Sequence, residues 1–163
     1  MQIRAGVPLL LAGRVFPYDA HLRYWRDEIA PRLDRRRRFV GAVGFRGKRR
    51  LLSAARCLLV PSLAPETSSL VAMEALACGT PVIAFAAGAL RDIVEHGRTG
   101  FLVRDAEGMA DAIARVDALD PDACRRAARE RFSDAGTTAA YLALYDRIAR
   151  GALDDAAPIA ATA

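Results

Sequence analysis

"CLLVPSLAPETSSLVAMEALACGTPVIAFA", residues 57–86, holds an apolar run, a loop bracketed by prolines, a short helical pattern and a second apolar run. The first run, Cys57 to Ser62, is short and continuous rather than alternating, the pattern of a strand covered on both faces. Thr67, Ser68 and Ser69 offer caps for a helix, Gly79 offers a stop, and Pro81 opens the next strand. A strand, a helix and a strand joined without a hairpin turn make a parallel crossover unit, from which open α/β sheets are built.

Outward from this unit the same alternation continues. "VPLLLAG" (7–13), "FVGAV" (39–43) and "GFLV" (100–103) are further buried-strand runs, and helical patterns cover about 20–33, 47–55, 68–77 and 89–95. The expected fold is α/β, a Rossmann-like open parallel sheet of about five strands with helices on both faces. After the last strand the pattern turns helical throughout. "DAEGMADAIARVDAL" is amphipathic, Asp120 and Pro121 open a further helix, and Tyr141, Leu144, Tyr145 and Ile148 line one face of the last before Gly151. Residues 1–150 are expected to be one domain and 151–163 an Ala-rich, frayed tail.

Composition narrows the function. At 163 residues the chain is long enough to bury about 70% of the surface its unfolded form exposes. No apolar run approaches the roughly 18 residues of a membrane span, and the first residues lack a signal-peptide pattern, so a cytoplasmic protein is expected. The net charge of +5 comes almost wholly from arginine, Lys48 being the only lysine. The run Arg35 to Arg38 could grip nucleic acid or an anionic membrane surface, or be a solvated helix end ahead of its strand. No aromatic residues alternate with it to stack bases, so no nucleic-acid partner is expected, while peripheral membrane contact stays compatible. Cys57, Cys78 and Cys124 are odd in number and set in apolar contexts, as reduced structural thiols are. "GAVGFRGKR" (41–49) fits neither the P-loop, which needs Gly where Ala42 stands and Ser or Thr where Arg49 stands, nor the dinucleotide fingerprint.

Glu66 and Glu74 are the anomalies of the opening stretch. Leu70, Val71, Met73, Ala75, Leu76 and Ala77 leave the helix almost without a polar face, so a buried helix is expected. A carboxylate at Glu74 then needs a donor: a ligand hydroxyl, an arginine of this chain, or water at an exposed edge. The loop 63–69 follows a strand and precedes a helix, where open parallel sheets hold ligands and free amides attract phosphate.

"PSLAPETSSLVAMEALACGTPVIAF" followed by "GALRDIVEHGRTGFLV" resembles the C-terminal donor-binding domain of GT-B fold, family 4 retaining glycosyltransferases, and the resemblance runs from about Val7 to Arg150. It implies that Glu74 meets the ribose hydroxyls of a nucleotide-diphosphate sugar, and that Glu66 is the catalytic-site carboxylate beside the transferred sugar. It further implies that Thr67 and the amides of Ser68, Ser69 and Leu70 hold the diphosphate, that backbone near Val43 faces the base, and that no metal or other cofactor is needed. The sequence departs from the family at Thr67, Ser68 and Ser69, where Gly-Phe-Gly or similar is usual, and the family's Gly-Arg and then Lys ahead of this region have no match, since "AGRV" at 12–15 fits the family's second strand better. A donor-binding fragment is therefore expected, inactive without an acceptor domain or chain and prone to self-association. A non-catalytic nucleotide-sugar binding module, or a scaffold using its basic surface, are the alternatives.

Overall fold

The computed structural model describes residues 6–151, and the expected tail at 151–163 lies outside the described residues from 152 onward. All five apolar runs form strands: β1 (Leu9–Leu11), β2 (Arg37–Phe39), β3 (Leu58–Val60), β4 (Val82–Phe85) and β5 (Gly100–Val103). Every pairing is parallel, with Leu9 opposite Arg37, Leu58 opposite Val82, and Val82 opposite Gly100. They do not make one sheet. β1 pairs with β2, while β3, β4 and β5 form a second sheet in that order. The expected five-stranded sheet is thus divided, and the outer edges of β1 and β3 have no strand partner among the described residues.

The larger sheet is covered on both faces because its side chains alternate. Leu58, Val60, Val82, Ala84 and Leu102 face a core built with α2 (Phe45–Ala54), α3 (Leu70–Cys78), α4 (Leu90–Ile93) and α6 (Pro121–Arg131). Cys57, Leu59, Ile83, Phe85, Phe101 and Val103 face the opposite way, against Met109, Ala112 and Ile113 of α5 (Ala106–Arg115). Asp105 caps α5 by accepting a hydrogen bond from the Gly108 amide at 2.8 Å, and Asp120 does the same for α6 at Asp122. The three cysteines are free; burial pushes the Cys124 thiol up to about 11, an inert core position.

The smaller sheet has less cover. The helix expected over 20–33 is broken into α1 (Asp19–Tyr24), a π-helical turn (Trp25–Ile29) and a 3-10 turn (Ala30–Arg32). Pro31 lacks the amide that would continue the α-helical ladder. The Trp25 ring lies 4.5 Å from that of Phe39, but no side chain between residues 6 and 51 is fully buried. β2 also begins earlier than expected, so Arg37 and Arg38 lie within the strand instead of ahead of it. The cause is Asp34, whose carboxylate accepts from the Arg37 guanidinium and from the amides of Arg36 and Arg37, fixing the turn into the strand. Those bonds, the Arg37 side chain's first, hold the Asp34 carboxyl down at about 2.

The last helix, α7 (Asp134–Ala149), has no buried residue; Tyr141, Leu144, Tyr145 and Ile148 are all exposed. No helix among the described residues is long and apolar enough to cross a membrane.

Candidate functional site

Three loops leave the C-terminal ends of β2, β3 and β4; the first two carry Val43, Glu66, Thr67, Ser68 and Ser69, while Leu70 and Glu74 lie in α3, which follows the second. Val43 lies in the first, half-buried, its side chain 3.6 Å from where a Cβ on Gly47 of α2 would stand. The second, Pro61 to Ser69, carries Glu66, Thr67, Ser68 and Ser69 into α3. The third pins the second: the Ala89 amide donates to the Glu66 carbonyl at 2.8 Å. Gly88, at φ +53°, approaches so closely that a Cβ there would stand 2.4 Å from that carbonyl oxygen. Only glycine accommodates both the left-handed backbone and the approach. This contact fixes the height of Glu66 above the sheet, and nothing in the local pattern of the loop around Glu66 announces it.

The start of α3 differs from expectation in an informative way. Ser69 stands at the N-cap position, yet its hydroxyl caps nothing; with φ −116° and ψ 85° it turns inward, 2% exposed and without a hydrogen-bond partner. The Ala72 and Met73 amides bond instead to the Ser69 carbonyl, at 3.1 and 3.2 Å. No bond among the described residues uses the amides of Ser68, Ser69 or Leu70. Thr67, Ser68 and Leu70 are exposed around them. Open amides at the positive end of a nine-residue helix favour an anion.

α3 is also less enclosed than its composition suggests. Ala72, Ala75 and Leu76 are buried, but Leu70 and Val71 are exposed, because one side of the helix faces the core and the other the strand-end edge. Glu74 sits between these sides. Its donor is not an arginine: Lys48, from α2, approaches Glu74 Oε1 at 2.5 Å, while Glu74 Oε2 is buried without a partner. A helical side chain leans toward the N-terminal turn, which carries the Glu74 carboxylate toward the open amides. Lys48 was missed as a site residue, although its being the only lysine was a signal in the sequence.

An open depression of about 470 Å³ lies at the strand ends beside this edge, lined by Ser62, Leu63, Phe85, Ala86, Arg91 and Arg104 among others. A second, of about 600 Å³, lies between β5 and α5 at His96, Asp105 and Arg115 and includes neither glutamate. No group of three or more His, Cys, Asp or Glu side chains among the described residues is gathered as metal ligands would be.

Parallel strands covered by helices, with carboxylates and open helix amides at the strands' C-terminal edge, define an open-sheet α/β protein with its candidate ligand edge where such sheets hold ligands. Comparison with known proteins gives the family: residues 2–117 match the glycosyl transferases group 1 family, and the chain belongs to it. It is 46% identical over 99 residues to the D-inositol 3-phosphate glycosyltransferase of Mycolicibacterium smegmatis, a match covering 58% of this chain and 23% of that protein. It is 40% identical over 119 residues to that of a Nocardioides species, covering 72% and 24%. Among solved structures it resembles the sucrose-phosphate synthase of Thermosynechococcus elongatus, with TM-score 0.75 and 33% identity over 91% of this chain and 41% of the other. Anabaena HepE in complex with UDP-glucose follows with TM-score 0.68 and 25% identity, over 91% and 42%. The chain thus spans about a quarter of the length of the curated relatives and two fifths of the solved chains. The fold is that of the GT-B glycosyltransferases.

Proposed function

We propose that this chain is the donor-binding domain of a retaining glycosyltransferase, taking a nucleotide-diphosphate sugar at the C-terminal edge of its strands. The observation that carries the reading is the set of open amides at Ser68, Ser69 and Leu70 with a carboxylate on either side, Glu66 before the helix and Glu74 within it. The diphosphate would lie on those amides, with Thr67 beside it. Glu74 would accept hydrogen bonds from the ribose, and backbone near Val43 would border the base. Glu66, held by the Ala89 amide and the Gly88 backbone, would face the hydroxyls of the transferred sugar. As the sugar leaves, negative charge grows on the diphosphate, and oriented amides at a helix start stabilise that charge more than they stabilise the bound donor. No metal is required in this scheme, and the acceptor would be held by a domain or chain outside these residues.

The test is calorimetric titration with UDP, UDP-glucose and their guanosine and adenosine counterparts, with and without chelator. Glu74→Ala should weaken diphosphate binding by about 1–3 kcal/mol, the scale of a hydrogen bond to a charged group. Glu66→Ala should weaken the sugar nucleotide and leave the bare diphosphate unchanged. Equal losses for both ligands in both variants would contradict the roles, and loss of binding on chelation would contradict the metal-free scheme.

A further inference from the structure

The open depression of about 470 Å³ at the strand ends takes no part in the donor path proposed above, yet the same edge builds it. Ser62 and Leu63 reach it from the loop after β3, Ala86 and Ala87 from the loop after β4, Arg104 from the loop after β5, and Arg91 from α4. Its volume falls within that of small-molecule sites, roughly 300–1,000 Å³. Arg91 and Arg104 are its charged lining residues, and no carboxylate lines it.

Both arginines have donors to spare. Six of the eleven arginines between residues 52 and 151 close on a carboxylate, whereas Arg91 and Arg104 meet none among the described residues. Asp105, beside Arg104, is turned to the start of α5, where it accepts from the Gly108 amide at 2.8 Å. Asp92 follows Arg91 directly on α4, and adjacent residues of a helix do not face each other. Arg91 is held by one nitrogen, Nε, which donates to the Ala86 carbonyl at 2.8 Å. That bond fixes its guanidinium on the wall of the depression and leaves the two terminal nitrogens free to donate. Arg104 is exposed and donates to nothing among the described residues. The Ser62 hydroxyl is already given to the Ala64 carbonyl at 3.2 Å, so the arginines are the donors the depression has to offer.

We propose that this depression is an anion subsite, in which Arg91 and Arg104 together take a phosphate or carboxylate group borne by the acceptor or by the transferred sugar. Two guanidinium groups on a concave wall without a carboxylate suit such a group, whose oxygens accept from paired N–H donors. Position supplies the role. The donor path runs from Val43, at the base, to Glu66, at the transferred sugar, and the depression adjoins the sugar end. Leu63 precedes Glu66 in one loop, and Ala87 leads through Gly88 to the Ala89 amide that holds the Glu66 carbonyl. The role beside the sugar rests on the donor-site reading; the binding of an anion by the two arginines does not.

The experiment titrates inorganic phosphate onto the full chain at fixed ionic strength and follows its binding by broadening of the phosphorus magnetic resonance. It is run without nucleotide, and again with the α3 amides occupied by whichever of uridine, guanosine or adenosine diphosphate binds tightest. With the diphosphate in place the wild type should still bind phosphate, and Arg104→Gln should weaken that binding about tenfold. Arg104 bonds to nothing else in the described chain, so the loss would not come from a disturbed fold. Arg91→Gln should weaken it to a similar extent. Arg129→Gln, at an exposed and unpaired arginine of α6, removes the same charge and should change it less than about twofold. Replacing the bare diphosphate with its sugar nucleotide separates the sources: phosphate that still binds marks a group on the acceptor, and phosphate that is displaced marks one on the transferred sugar. No phosphate binding by the diphosphate-bound wild type, or the same affinity in Arg104→Gln as in wild type or Arg129→Gln, would overturn the inference. If no diphosphate binds, the donor-site reading fails by itself, and the titration without nucleotide, in the same variants, decides whether the two arginines hold the anion.

Discussion

At the scale of single residues, the site depends on groups whose importance ranges from legible to hidden. Glu66 and Glu74 are anomalies in an apolar stretch, and their types alone ask for donors. Lys48 was visible only as a rarity, since no local pattern ties residue 48 to residue 74 and only the packing of α2 on α3 brings them together. Gly88 is hidden more deeply: its neighbour is backbone 22 positions earlier, at Glu66. Gly88→Ala should therefore lower stability by at least about 2 kcal/mol, through a strained left-handed backbone and the displaced Glu66 carbonyl. It should weaken sugar-nucleotide binding more than diphosphate binding, because it shifts Glu66 and not the amides. Thermal melting and calorimetry on the same sample would check both, and a variant with wild-type stability would show that the loop yields freely.

At the scale of elements, apolar runs located β1, β3, β4 and β5 but met β2 only at Phe39, and the helices showed further where local pattern stops being enough. Gly79 ends α3 as expected, with φ +82°, but the inward turn of Ser69 follows from tertiary packing and not from cap preference. β2 starts at Arg37 because Asp34 gathers the preceding amides, an effect outside any hydrophobic period. Since the arginine run lies at the N-terminal end of its strand, opposite the ligand edge, Arg35→Gln with Arg36→Gln should leave nucleotide affinity within about twofold of wild type. A large loss in titration would move the site to the other end of the sheet. The start of β4 is tied to α2 by the buried Thr80 hydroxyl, which donates to the Leu52 carbonyl at 2.6 Å. Thr80→Val keeps the shape and removes that bond, and denaturant unfolding should register a loss of about 1 kcal/mol.

At the scale of the whole molecule, two features lie outside what strand and helix patterns convey: the division of the sheet, and a last helix with its aromatic face uncovered. Strand order is set by crossovers between elements, so the sequence marks the strands without stating which of them touch. The free edges of β1 and β3, together with Tyr141, Tyr145 and Ile148, leave hydrogen-bonding groups and apolar surface unpartnered. This chain alone should self-associate at micromolar concentration, and light scattering after size exclusion would show it; a monodisperse monomer would mean that these surfaces close on the chain itself. The bare core of the segment before Leu52 has a further consequence, in time instead of space. With no side chain fully buried between residues 6 and 51, the β1–β2 unit should open to solvent far more often than β3–β5, so that deuterium enters the amides of Leu9 and Val40 long before those of Leu58 and Val82. A nucleotide bridging Val43 to the α3 amides would join the fast unit to the slow one, and the slowing of exchange at Val40 on adding ligand would report that the two halves had begun to breathe as one.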